Sequence, residues 1–485
     1  MLFLQKIGTM NYHHILRASM MLVTVAMVLF SSCKKDPDPD PDVPQDIIIL
    51  NKWIMDVMSD VYLWEEFIPP LNPNKEPDPK EYFYKLLYTE DRDSWISDDS
   101  EEHMASFDGV ETTTGMSANP GLITETQIIS IVEYVTPDSP AEDSGVVRGD
   151  IIMTINGQSL TVDNYRDLFT QSTATFGFGN WNGVSMESNG KEVTLARIVL
   201  NQNPVVHSEI IDYQGQKIGY FVYTQFTSGQ TDEWLIELNN VFDNFKSAGV
   251  SDVILDLRYN GGGYLDISAH MASTLGKVTA MQNNEVYLKF VWNDGYNEYW
   301  KGQDLDQDGH ADGDDSEQLV IRLPDCDCNL NLSRVYFLTT ERTASASESL
   351  MVGLYPYCDV VQIGTRTYGK CYASFTFEDT HEPKRHTWAL QPIVLKYANA
   401  NGYTDFVTGI TPDYFVEEYL LDLEQFGSFN DPFLAKALED ITGIAPVAKK
   451  SVRPEVDFHL LPRPRKRVPE RIMDWPDKSG KRVLF

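Results

Sequence analysis

The run DVILDLRYNGGG, residues 252–263, leaves this chain the fewest choices of fold. Val253, Ile254, Leu255 and Leu257 are too nearly continuous for a half-exposed strand, and three glycines close the run in a sharp turn. A buried strand predicts partners of the same kind, and the flanking sequence supplies them. KIGYFVYTQF precedes it, with a helix between whose apolar face is marked by Leu235, Leu238, Phe242 and Phe245. A helix over 266–275, the strand VYFLTT, a helix opening at a serine cluster and the strand VVQIG follow. Repeated βα units build a mostly parallel sheet with helices on its faces. Functional groups then belong at strand C-termini and helix N-termini. The glycines 261–263 and the serines of TASASESL, residues 343–350, occupy such ends.

At 485 residues the chain exceeds one ordinary core, so several domains are expected. A net charge of −33 argues against binding nucleic acid or an anionic membrane surface through bulk charge. The ends differ from the body. Lys6 and Arg17 precede an apolar run, residues 20–30, too short to span a bilayer, which reads as a secretory signal over residues 1–33. FSSC, residues 30–33, resembles a bacterial lipobox, which implies a diacylglycerol on Cys33 and a lipid-anchored protein of the Gram-negative cell envelope, periplasmic or surface-facing. The alternating Asp-Pro of residues 34–45 is an extended linker that cannot pack. From residue 446 a Pro-rich basic tail carries 11 Lys+Arg against 5 Asp+Glu. Cys326, Cys328, Cys358 and Cys371 are open to disulfide formation in an exported protein, with no pairing implied, and C-D-C is not the C-x-x-C of a metal site.

Between these ends the chain reads as an N-terminal helical domain (46–104), a β-rich domain (105–201) and an α/β domain (202–445) interrupted by an insertion at about 280–332. In the first, Ile47, Leu50, Ile54, Val57, Met58 and Val61 recur at helical spacing, and a second short helix is expected over 81–87. In the second, SPAEDSGVVRGDIIMTING resembles the helix-to-strand core of PDZ domains from processing proteases and ends at an Asn156-Gly157 hairpin turn. PDZ domains add a ligand C-terminus as a strand and hold its carboxylate on the N–H groups of a glycine loop. The matching loop is TTTGMS, with Gly115 and Met116 as the expected peptide-binding residues.

A serine hydroxyl is a poor nucleophile without a base. No histidine lies within thirty residues of the serine cluster, and His270, His381 and His386 read as core or surface residues. Lys370, in GTRTYGKCY, is one helix and one strand beyond the serines, so both ends can meet above the sheet. A lysine replaces histidine as base where burial favours its neutral form. DLRYNGGG, TASASE and GTRTYGK, in this order after a PDZ segment, resemble the C-terminal processing peptidases (tail-specific proteases) of serine peptidase family S41. The resemblance covers about residues 105–425. It implies Ser345 as nucleophile, Lys370 as base, and an oxyanion hole made by the N–H groups of Ala346 and Gly262. Relatives carry a glutamine four residues after the lysine; Ser374 stands there and is the expected orienting residue. The implied activity is serine endopeptidase cleavage of proteins or peptides with accessible C-termini, without a catalytic cofactor. A non-catalytic peptide-binding scaffold is the alternative.

DLDQDGHADGDD, residues 304–315, follows the first half of a calcium loop. Asp304, Asp306, Asp308 and Asp315 are the expected ligands of a structural Ca²⁺.

Overall fold

The strand Asp252–Asp256 lies inside a six-stranded sheet, with Val253, Ile254 and Leu255 fully buried. In this computed structural model, residues 43–181, 185–447 and 458–461 are described; the signal segment with Cys33, most of the Asp-Pro linker and nearly all of the basic tail lie outside them. The sheet order is Val205–Tyr213, Gln216–Tyr223, Asp252–Asp256, Arg334–Thr339, Asp359–Gly364 and Tyr414–Phe415. Only the first pair is antiparallel. The helix Glu233–Ala248 buries Leu238, Val241, Phe242 and Phe245 on one face, and Pro432–Thr442 sets Phe433, Leu434 and Leu438 on the other. Such a doubly covered sheet explains the near-continuous apolar strands.

The N-terminal helices Gln45–Val61 and Pro79–Leu86 form where the spacing placed them. Two further elements went unread: a strand Trp95–Ser97 and a helix Ser100–Phe107 that crosses the expected boundary at residue 104. Asp99 caps that helix by accepting the Glu102 N–H at 2.9 Å, a signal present in DDSEE. The strand pairs with Ala389–Gln391, and Leu50, Ile54, Met58, Tyr82 and Phe83 share one continuous core with Leu255 and Phe337. The N-terminal helices are therefore welded to the α/β core.

The β-rich domain has its own core around Ile128, Val132, Ile152, Phe176 and Phe178, and the pairing of Val110–Thr113 with Ile198–Asn201 closes it. Asn156 and Gly157 form the expected turn, both at positive φ. Residues 280–332 are not a detachable insertion. Val286–Trp292 and Val320–Arg322 join Ile393–Asn399 and Tyr372–Ser374 in a four-stranded antiparallel sheet.

Buried charges lie where the β-rich domain meets the α/β core. The Arg258 side chain, 1% exposed, pairs with Asp256 (2.6 Å), Glu418 (2.8 Å) and Asp431 (2.9 Å). Arg148 of the β-rich domain reaches the same Glu418 oxygen at 2.8 Å, and the Tyr259 hydroxyl donates to it at 2.6 Å. Burial raises the Glu418 carboxyl, but Arg258 and Arg148 outweigh it and hold the group below its ordinary range. Removing one partner of a buried ion cluster leaves the others uncompensated. Arg258→Ala is expected to cost about 3–5 kcal/mol in urea unfolding, whereas Arg334→Ala, at the exposed start of a strand, stays within about 0.5 kcal/mol.

Candidate active site

Ser345 opens the helix Ala346–Leu354 with φ 59° and ψ −116°, a conformation a side chain adopts only under constraint. The constraint is Glu348, fully buried. Its Oε2 accepts the Ser345 N–H at 2.9 Å and the Lys370 N–H at 2.8 Å; its Oε1 accepts the Gly369 N–H at 2.7 Å and the Thr367 hydroxyl at 2.5 Å. Burial pushes the Glu348 carboxyl up while these donors pull it down, and the net direction is upward. The Tyr397 hydroxyl adds a second bridge, lying 2.6 Å from the Lys370 carbonyl and 3.2 Å from that of Ser345. The serine and lysine segments are thus tied together at two points. The Ser345 Oγ is buried at the head of this helix. Lys370 is 8% exposed.

The glycine turn presses against this serine. Gly262 has φ +113°, and a Cβ there would stand 2.7 Å from the Ser345 Cβ and 3.1 Å from the Ala346 nitrogen, so only glycine fits. The Gly262 N–H, however, donates to Asn260 Oδ1 at 2.8 Å and is not offered to the site, unlike the sequence expectation. The Ala346 N–H, first of its helix, has no acceptor among the described residues. Ser347 and Ser349 face inward: Ser347 Oγ donates to the Asn260 carbonyl at 3.1 Å, and Ser349 Oγ lies 3.0 Å from Ser268 Oγ and 3.3 Å from the Tyr287 hydroxyl.

A cavity of about 810 Å³ runs from Lys370, Gly261 and Ala344 to Gly115, Met116 and Asn119 of the β-rich domain. The Gly115 and Met116 N–H groups donate to Thr113 Oγ1 (3.1 Å) and Thr114 Oγ1 (3.4 Å), so local hydroxyls hold the positions expected for a carboxylate.

The description of peptidase family S41 matches residues 217–416, that of the S41 N-terminal domain residues 50–95, and that of the PDZ domain residues 131–175. Residues 217–416 of this chain form a peptidase domain of family S41. A carboxyl-terminal-processing protease of Synechocystis sp. is 27% identical over 352 residues, covering 70% of this chain and 72% of the relative. Its counterpart in Picosynechococcus sp. is 25% identical over 351 residues, covering 70% and 74%. A crystal structure described as an S41 protease of Bacteroides fragilis NCTC 9343 superposes with a TM-score of 0.67 at 29% identity, covering 84% of this chain and all of the other. The protein is therefore a serine-type peptidase with a PDZ domain.

In this S41 peptidase, Ser374 lies buried in the strand Tyr372–Ser374, and a glutamine reaches it from elsewhere: Gln391 Nε2 donates to Ser374 Oγ at 3.0 Å. Gln391 Oε1 accepts from Thr376 Oγ1 at 2.6 Å and faces His103 Nε2 at 3.2 Å. Burial lowers His103 to about 4, which keeps its imidazole neutral. Motif spacing could not find Gln391; its only signal is one amide inside the apolar run ALQPIVL. Arg92 was also missed. Its guanidinium donates to the carbonyls of Gly369 (2.6 Å), Val407 (2.9 Å) and Tyr368 (3.2 Å) and lies 4.5 Å over the Tyr368 ring, gripping the lysine segment from the N-terminal domain.

The remaining sequence candidates lie apart from the cavity lining. In the aspartate loop, Asp304 and Asp306 converge with Asp312 rather than with Asp308 and Asp315. Asp308 Oδ1 is turned to the His310 N–H at 2.8 Å, and Asp315 pairs with Arg322 at 3.0 Å. All four described cysteines are free. Cys326 and Cys328 lie with His270 in one cluster whose ligand atoms are within 4.8 Å of one another, which C-D-C spacing did not suggest. His381 is held by Asp379 at 2.7 Å, and His386 packs 4.4 Å from the Trp53 ring.

Replacing Glu348 by glutamine keeps its volume but turns an NH₂ toward two of four buried donors. Each unpaired donor costs about 1–3 kcal/mol. Glu348→Gln is expected to lower the urea midpoint by the equivalent of about 2 kcal/mol or more and to depress kcat more than it changes KM. An unaltered midpoint and rate would show that the carboxylate does not hold the two segments.

Proposed function

We propose that this S41 peptidase is an exported, lipid-anchored endopeptidase that cleaves unstructured protein segments through an acyl-enzyme, with Ser345 as nucleophile and Lys370 as base. The observation that carries this reading is the shared Glu348 oxygen, which binds Ser345 and Lys370 through their N–H groups beside a cavity large enough for a peptide. The chemistry follows from the groups present. Lys370 Nζ takes the Ser345 proton as Oγ attacks the scissile carbonyl carbon. The oxyanion forms beside the Ala346 N–H, whose helix terminus favours negative charge. Collapse breaks the C–N bond, the lysine proton passes to the leaving amine, and water then releases the acyl group by the same route reversed. A second oxyanion donor at Gly262 requires its N–H to leave Asn260 as substrate enters. Ser374 and Gln391 are assigned the orientation of Lys370. The PDZ loop at Gly115 and Met116 is assigned capture of a substrate's C-terminal end, for which the two threonine hydroxyls give way to a carboxylate. Export and lipidation at Cys33 rest on the apolar run and FSSC of residues 20–33.

The test is mass spectrometry of the products after incubation with an unfolded protein. Ser345→Ala, Lys370→Ala and Lys370→Arg are each expected to abolish turnover with the fold intact, since arginine does not release its proton and the pair acts as a unit. Ser347→Ala stays active. Ser374→Ala and Gln391→Ala lose about 10- to 100-fold, part of the ~10²–10⁴ that a positioned base supplies. Turnover surviving in Lys370→Arg removes the dyad, and a chain that binds peptides without cleaving them is the scaffold of the alternative reading.

We further infer that the loop 304–315 takes Ca²⁺ with Asp304, Asp306 and Asp312 as its carboxylates. Two of their oxygens already order the loop, with Asp304 accepting the N–H groups of Asp308 (3.0 Å) and Gly309 (3.0 Å). Millimolar calcium is expected to raise the melting temperature by mass action. Persistence of that rise in Asp304→Ala/Asp312→Ala would place the ion elsewhere.

A further inference from the structure

The PDZ strand Met116–Leu122 leads from the glycine loop along the cavity and pairs on one side with Ile128–Val135. Its other edge is taken by a distant piece of the same chain. His459–Leu460 runs antiparallel to it, with His459 opposite Leu122 and Leu460 opposite Gly121, and the Leu461 N–H donates to the Pro120 carbonyl at 3.1 Å. Side chains seat this pairing on both faces of the sheet. Phe458 joins the cluster of Ile129, Ile131 and Ile151, while Leu461 packs on the domain core of Ile128 and Val132. Gly121 is cut to receive the ring: a Cβ there would lie 2.3 Å from Phe458 Cζ. Leu460 and Leu461 form part of the wall of the cavity that holds Lys370.

The direction of the segment matters. Each step from Phe458 to Leu461 moves toward Met116 and the Gly115 loop, the sense in which an added strand presents its C-terminal side to that loop. We propose that residues 458–461 are a tethered occupant of the peptide edge of the PDZ domain, which an incoming extended apolar segment must displace before it reaches Ser345. Ten residues, 448–457, separate the segment from the preceding described chain. Because the segment belongs to the same chain, it competes for the edge intramolecularly. A peptide must outcompete this occupant, so the segment sets a threshold on which substrates engage. The inference rests on the peptidase reading only in taking the cavity as the substrate path.

The test measures binding, so it does not depend on catalysis. A fluorescein-labelled, C-terminally amidated peptide of residues 455–461, EVDFHLL, is titrated by anisotropy into Ser345→Ala protein in four forms. These are the full chain, a chain ending at Val447, the full chain with Phe458→Asp and Leu461→Asp, and the shortened chain with Gly121→Val. The second and third are expected to bind at least tenfold more tightly than the first, and the fourth to lose binding because the valine occupies the ring's place. Equal affinity for the first three, no binding to any form, or binding unaffected by Gly121→Val would each overturn the proposal. Two independent ways of freeing the edge, checked by melting temperature, guard against one failing to fold. Failure here leaves the Ser345 and Lys370 assays untouched, and failure there leaves this binding result intact.

Discussion

A buried carboxylate holds the centre of this molecule together. Glu348 sits in the core, where an ionised group is tolerated only if its lone pairs are occupied. Four donors occupy them, and they come from two stretches of chain: the serine turn and the segment 367–370. Satisfying the carboxylate and bringing Lys370 to Ser345 are therefore one event. A fold that misplaced the lysine segment would leave a naked charge in the interior. Asn260 does the equivalent work for the glycine turn, accepting the Gly262 N–H on its side chain and the Ala344 N–H on its carbonyl.

The second fixed point is the guanidinium cluster. Arg148 and Glu133 come from the PDZ domain; Arg258, Arg342 and Glu418 come from the peptidase domain. Tyr259, which donates to Glu418, immediately precedes Asn260. Docking of the PDZ domain and placement of the glycine turn thus share one buried network. The domain cannot tilt far without exposing paired charges, and any tilt is felt one residue from the turn.

The parts that could be read from sequence are those set by local periodicity or by contiguous motifs. The core strands are continuous apolar runs, the Asn156-Gly157 turn is a local signal, and the three ordered motifs carry the family. Ser345 and Lys370, singled out by those motifs, lie on the two stretches that share Glu348. What stayed hidden depends on partners far apart in the chain. Gln391 reaches Ser374 from a strand of another sheet, and Arg92 grips carbonyls almost three hundred residues away. Neither leaves a spacing to read. The Gly262 N–H was assigned by spacing alone, and the side-chain oxygen two residues earlier competes for it. Asp315 was expected from its place in the loop, but a nearby guanidinium claims it, while Asp312 turns inward.

The strand Val286–Trp292 bears on how such chains can be cut and joined. It lies in a stretch that reads as a removable cassette, yet its Tyr287 hydroxyl meets Ser268 and Ser349 under the serine helix, and its ring leaves room only for the bare backbone of Gly353. The same strand borders Ile393–Asn399, which in turn holds the strand of Ser374. Chimaeras that exchange 280–332 between relatives would transplant the floor of the site along with the loop. Successful grafts would have to carry the serine helix and both flanking strands as one block.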